Sequence, residues 1–257
     1  MKLIHRIWKY FLYVLKSGNA HNVHSPFLYS FYTYLVGAEK ENEFQVIKRL
    51  RKKLGADKTI IRVTDLGAGE SAMQRRVCDI YRKSALPEKY GRALFRICCH
   101  FQPARILELG TSLGVSSLYM AAACPSAKIT TVEGSSETAA YASAFLRGAN
   151  LGVVEVISSS FEDYLSVLPS GAPFDLIFVD GNHTQEATLR YYEILKAYSH
   201  LDTVFIFDDI HWSREMSSAW GQIRGKREVT VSLDIYRFGL IWRRLEQHGR
   251  EEFCLRY

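Results

Sequence analysis

The chain lacks three things that would each have settled its class. It has no C-x-x-C pair among its five cysteines (Cys78, Cys98, Cys99, Cys124 and Cys254), and five is an odd number. That excludes a disulfide framework and points to a reducing, cytoplasmic compartment. It has no G-x-G-x-x-G run, the turn that cradles a dinucleotide pyrophosphate on a helix N-terminus. Its N-terminal apolar stretch is interrupted by Lys2, Arg6, Lys9 and Lys16, too often for a signal-peptide core or a transmembrane helix. A net charge of +6 comes with no RNA- or DNA-binding motif, so no nucleic-acid partner is expected.

What is present fits a soluble globular protein. At 257 residues, with 47% apolar and 23% charged side chains, the chain can bury the core of one α/β domain with an added segment. The charge is uneven. Residues 1–62 carry 12 Lys/Arg against 4 Asp/Glu, a net of +8, whereas residues 63–257 carry 21 against 23, a net of −2. Within the basic part, Ile4, Ile7, Trp8, Phe11, Leu12 and Leu15 recur at helical spacing, with Lys2, Arg6, Lys9 and Lys16 on the other side. Residues 1–18 therefore read as a basic amphipathic helix. Its apolar stripe is expected to pack on its own domain or on a partner subunit, as in a homodimer. Peripheral contact with an anionic membrane is the second reading.

Ala104 to Glu133 organises the rest. Arg105–Leu109 is a short apolar run of the kind that forms a buried parallel strand. Gly110 and Gly114 follow, then a helix from Val115 to Ala123, then a second apolar run from Lys128 that ends in Glu133. An acid on a second strand tip can accept both hydroxyl hydrogens of a ribose, and glycines let the backbone approach a ligand closely. The spacing Gly110-x-x-x-Gly114 suits a ligand without a phosphate. Ile60 to Gly69, with a D-x-G-x-G loop, has the same beginning, but the charged helix expected from Arg75 to Ser84 follows it rather than a strand ending in an acid. Asp65–Glu70 is therefore read as a loop of an N-terminal extension.

Downstream, strands are expected at Val153–Ile157, Phe174–Val179 and Thr203–Phe207, alternating with helices. Val229–Tyr236 and Gly239–Arg244 are separated by only two residues, which demands an antiparallel hairpin. The predicted fold is α/β, a doubly wound, Rossmann-like sheet of seven strands closed by that hairpin. It occupies residues 91–257, and residues 1–90 form a mainly helical extension. In such sheets ligands sit beyond the carboxyl ends of the strands. Those ends carry Glu108 and Gly110, Glu133, Ser159–Glu162, Asp180–His183 and Asp208–Trp212.

The run E-L-G-T-S-x-G at residues 108–114 resembles motif I of class I S-adenosylmethionine-dependent methyltransferases, and the terminal hairpin matches their variant of the sheet. The segments N-V-H-S-P-F, T-D-L-G-A-G and D-D-I-H-W-S are similar to those of a bacterial group within that class. The resemblance spans roughly residues 90–245. It implies S-adenosylmethionine as cofactor and methyl transfer to a small molecule, most readily to a hydroxyl oxygen. It places Glu133 on the ribose, Ser160 and Phe161 around the adenine, and Gly110, Thr111 and Gly114 around the methionine portion, with Glu108 and Gly134 also among the cofactor-binding residues. Asp180, Asp208 and Asp209 lie on adjacent strand tips and could serve as oxygen ligands to Mg²⁺ or Ca²⁺. The layout is similar to catechol and caffeoyl-CoA O-methyltransferases, with two departures. The second pair is Asp-Asp rather than Asp-Asn, and Asn182 and His183 stand where those enzymes place a lysine base. Without an ion, these carboxylates would instead bond the cofactor amine, Asp180 first, or helix N-termini. Asp180, His183 and His211 are the candidate catalytic residues, with an imidazole as general base. His21 and His24 are more readily structural, and Trp212 and Trp220 could wall an aromatic substrate. Two alternatives stay open: an NAD(P)-dependent oxidoreductase, and a non-catalytic binding or membrane-associated module.

Overall fold

The structure is a computed structural model that describes residues 2–38, 44–64, 72–168, 171–245 and 249–257. In chain order the elements are α1 (Lys2–Lys16), α2 (Pro26–Val36), α3 (Gln45–Ala56), β1 (Ile60–Thr64), β2 (Ala72–Arg76), α4 (Val77–Ser84) and α5 (Glu88–Phe101). They continue with β3 (Arg105–Leu109), α6 (Val115–Ala123), β4 (Lys128–Glu133), α7 (Ser136–Ala149), β5 (Val153–Ser158) and α8 (Phe161–Ser166). The last are β6 (Phe174–Val179), α9 (Gln185–Leu195), β7 (Ser199–Phe207), α10 (Arg214–Arg224), β8 (Val231–Asp234), β9 (Gly239–Trp242) and β10 (Glu251–Cys254). The chain divides into two compact units, Gly37–Pro169 and Met1–Val36 with Ser170–Tyr257. Of the parallel and antiparallel strands that follow β2, β3 to β5 belong to the first unit and β6 to β10 to the second, eight in all.

In the Gly37–Pro169 unit, β3, β4 and β5 are parallel neighbours, with Leu109 opposite Val132 and Glu133 opposite Ser158. Their carboxyl ends therefore line up. The strands are apolar because helices cover them. Leu50, Leu118 and Leu146 form one buried cluster, with Phe145, Val154 and Val156 against it. A separate antiparallel pair joins β1 and β2, Ile61 opposite Arg75. Here the expected helix starts late. Arg75 and Arg76 read as part of a charged helix, but they pair with β1 as strand, and the helix begins at Val77. The Asp65–Glu70 loop lies outside the described residues.

In the other unit β6 and β7 are parallel, with Val179 opposite Phe207. The hairpin forms as expected: β9 is antiparallel to both β7 and β8, and Gly239 lies opposite Phe207 on one side and Asp234 on the other. The eighth strand is the addition to the predicted seven. β10 pairs in parallel with β8, Glu251 opposite Val231. Trp242, fully buried, makes T-shaped contacts with Phe27 and Phe31 from α2, with ring centres 5.5 and 5.7 Å apart. The expected helix start at Ser25-Pro26 forms, with the Ser25 hydroxyl accepting the Leu28 N–H.

Candidate active site

The glycine turn after β3 is a left-handed excursion. Gly110 has φ 108° and Gly114 φ 77°, with Ser112 between them at φ 46°. A Cβ on Gly114 would also sit 2.9 Å from Leu146 of α7, so glycine is required there by both conformation and packing. Glu108, which precedes the turn, has no exposed surface. Its carboxylate accepts from the hydroxyls of Ser116, Ser117 and Thr131, the last at 2.6 Å. Burial pushes its pKa up to about 7 against the pull of those hydroxyls. Thr111 is buried too, its hydroxyl 2.6 Å from that of Thr131. The turn is thus tied to β4 through side-chain hydroxyls.

Glu133 ends β4 and reaches back to the same turn. Oε2 accepts the Ser112 N–H at 2.8 Å and Oε1 the Ser135 N–H at 3.0 Å. Burial raises its pKa, and the backbone N–H groups of Ser135, Ser112 and Gly134 oppose that rise. Each carboxylate oxygen keeps a lone pair beyond the one already used. At the β5 tip, Ser160 caps α8 by accepting the Asp163 N–H at 3.0 Å, and Phe161 is half-buried beside it. A cleft of about 450 Å³ elsewhere in this unit is lined by Lys48, Arg51, Lys52 and Glu88, among others, and by none of these strand-tip residues.

The other unit carries its own cluster. Asp208 has no exposed surface and is held from two sides by Arg237, Nε to Oδ1 at 2.7 Å and Nη2 to Oδ2 at 2.5 Å. The same guanidinium places Nη1 3.4 Å from Asp209 Oδ1. Burial, then the Asp180 charge, pushes Asp208 up to about 7 against the pull of Arg237. Asp209 rises to about 6 through burial and the charge of Asp208. Burial opposes the Arg237 charge, but Asp208 and Asp209 outweigh it and hold the guanidinium protonated. His183 Nε2 lies 3.5 Å from Asp180 Oδ1. Asn182, Asp209 and Tyr236 all have φ between 52° and 71°. That left-handed backbone, uncommon outside glycine, is concentrated at these loops.

A methyltransferase domain model matches residues 107–210. That stretch is similar to a methyltransferase domain and spans β3 to the residues just after β7. Solved structures of similar fold include an O-methyltransferase from Bacillus cereus in complex with SAH, with 19% identity and TM-score 0.59, covering 82% of this chain and 94% of that one. Another is the O-methyltransferase TomG from Streptomyces achromogenes, involved in tomaymycin synthesis and bound to SAM. It has 21% identity and TM-score 0.57, with 84% and 95% covered. The SAH-bound Podospora anserina methyltransferase PaMTH1 has 15% identity and TM-score 0.59, with 88% and 97% covered.

The expected site residues fall into the two clusters above. Gly110, Thr111, Gly114, Glu133, Gly134, Ser160 and Phe161 gather at the β3–β5 tips, with Glu108 beneath them. Asp180, His183, Asp208 and Asp209 gather at the β6–β7 tips. The expected ion site does not fit what stands there. Among the described residues no group of three or more His, Cys, Asp or Glu side chains is arranged to hold a metal. The physical reason is Arg237, which takes both Asp208 oxygens and approaches Asp209, giving two of the three expected ligands a cation of their own. Arg237 was not foreseen. The available signal was an arginine in an apolar hairpin, two residues before Gly239 opposite the β7 tip. His211 sits apart from the Asp180 pairing: Nε2 is 2.8 Å from Asp234 Oδ2 and Nδ1 is 3.4 Å from Ser217 Oγ. Trp220 is core, 6.5 Å from Phe207, and Trp212 lies under Arg6 at 4.2 Å. His21 and His24 are exposed.

Proposed function

We propose that this chain moves the methyl group of S-adenosylmethionine to a hydroxyl oxygen of a small molecule, without a metal ion. The observation that carries the reading is Glu133. It is a strand-tip carboxylate fixed by two backbone N–H groups beside a left-handed glycine turn that offers no phosphate cradle. Its remaining lone pairs take the two ribose hydroxyls. Gly110, Thr111 and Gly114 admit the methionine portion, and Gly134, Ser160 and Phe161 border the adenine. Glu108, spent on three hydroxyls, acts by holding the turn rather than by touching the ligand.

The sulfonium supplies its own leaving group, so the protein has to align donor and acceptor and remove one proton. The carbon–sulfur bond breaks as the carbon–oxygen bond forms, and the acceptor's hydroxyl proton passes to His183. Asp180, 3.5 Å from that imidazole, stabilises the imidazolium. Both His211 ring nitrogens already have partners, which suits positioning. Oxygen as the acceptor is favoured by this imidazole–carboxylate pair and by the O-methyltransferases among the similar folds.

Differential scanning fluorimetry with S-adenosylmethionine, S-adenosylhomocysteine and NAD tests the donor. At a hundred times Kd the true ligand adds about 2.7 kcal/mol, several degrees of Tm. The first two compounds should raise Tm and NAD should not. Stabilisation by NAD alone would favour the oxidoreductase. Transfer of labelled methyl to phenols or sugar alcohols should persist in EDTA, and its loss there would restore the ion.

A further inference from the structure

α1 docks on its own unit by its polar side and turns its apolar side outward. Tyr13, 7% exposed, donates to the Leu255 carbonyl at 2.6 Å, and its oxygen accepts the Tyr257 N–H at 3.0 Å. Arg6 lies 4.2 Å from the centre of the Trp212 ring, and its carbonyl accepts the Tyr236 hydroxyl at 3.1 Å. Tyr10 and Tyr236 make a T-shaped contact with ring centres 5.1 Å apart. At about 100° per residue, Arg6 and Tyr13 share one side of the helix, and Ile4, Ile7, Trp8, Phe11 and Leu15 lie on the opposite one. These are exposed: Ile4 73%, Ile7 62%, Trp8 57% and Leu15 66%, with Phe11 stacked beside Trp8 at 6.0 Å. The expectation that the stripe packs on its own domain is thus reversed. A continuous apolar helix face of this kind marks an interaction surface.

Charge decides between the two occupants that suit it. α1 carries Lys2, Arg6, Lys9 and Lys16 and no acid. A second copy placed on this face by a two-fold axis would bring two such basic helices together, which repels. An anionic surface complements them. No helix among the described residues is long and apolar enough to cross a membrane. α1, at 15 residues with an apolar stripe on one side and Lys9 and Lys16 on the other, has the form of a helix that lies in the plane of one. We propose that α1 lays this stripe into a bilayer rich in anionic phospholipid, its aromatic pair at headgroup depth, with the positive charge of the helix attracted to the phosphates. The methyltransferase domain then works at a membrane surface.

Co-sedimentation of the full chain with vesicles tests this, using phosphatidylcholine alone or mixed with phosphatidylglycerol, alongside sedimentation equilibrium without lipid. The chain should pellet with the anionic vesicles only, and less as ionic strength rises. Ile7→Glu with Phe11→Glu should weaken binding at least about tenfold, since both positions face solvent and the variant keeps its fold. Lys9→Gln and Lys16→Gln, which leave the stripe intact, should each cost about fivefold. Absence of pelleting with anionic vesicles would overturn the proposal. So would a concentration-dependent dimer that Ile7→Glu with Phe11→Glu dissolves, because the second copy would then be the occupant.

Discussion

Each unit of the molecule buries one carboxylate completely at a strand end, and the two are stabilised by opposite means. Glu108 is surrounded by the hydroxyls of Ser116, Ser117 and Thr131, and Asp208 is clasped by the Arg237 guanidinium. Hydroxyls rotate, and can donate to a carboxylate or accept from a protonated carboxyl. A guanidinium can only donate and stays charged. The Glu108 site therefore tolerates loss of its charge, and the Asp208 site does not tolerate loss of its partner.

The largest effect should come from breaking the charged pair. Arg237→Met leaves Asp208 without a cation and with no exposed surface. Loss of one partner of a buried pair costs about 3–5 kcal/mol. Urea denaturation should show that loss, and adding Asp208→Leu should recover much of it, because the two changes share one interaction. A cost below about 1 kcal/mol would mean that Arg237 is not the compensating charge.

A smaller effect should separate the hydroxyl site from it. The Glu108 pKa is raised from 4.5 to about 7, so between those values the folded chain holds a proton that the unfolded chain has released. Stability therefore falls as pH rises through this window, by about 1.4 kcal/mol per pH unit for this group, and is flat above it. Glu108→Gln mimics the protonated form. Its stability should decline less between pH 5 and pH 8, by about 2–3 kcal/mol. Asp208, near 7, and Asp209, near 6, titrate in the same window, so a residual slope should remain. Parallel pH profiles for the two proteins would contradict the assignment.

What could be read from the sequence follows how local each signal is. The glycine turn and Glu133 lie within one strand–helix–strand unit, so their spacing alone announced them. Asp180, Asp208 and Asp209 were legible because they come within two residues of the end of an apolar strand. Arg237 was not, since it meets Asp208 across 29 residues through a hairpin whose own pattern says nothing about its turn. Arg75 and Arg76 look helical by charge, yet pairing with β1 decides their conformation. β10 is four residues long and has no independent periodic signal; the open edge of β8 defines it. For α1, periodicity revealed an apolar stripe but not which side the domain would take. Tyr13, Arg6 and their partners near Tyr236 decided that.

The proposed donor site rests most heavily on Glu133, and isothermal titration calorimetry with S-adenosylhomocysteine probes it directly. The purified chain should bind this product, and Glu133→Ala should weaken binding by about a hundredfold, as expected for two charge-assisted hydrogen bonds worth roughly 1.5 kcal/mol each. Equal affinity in the two proteins, or no heat of binding with the unmodified chain, would contradict the account.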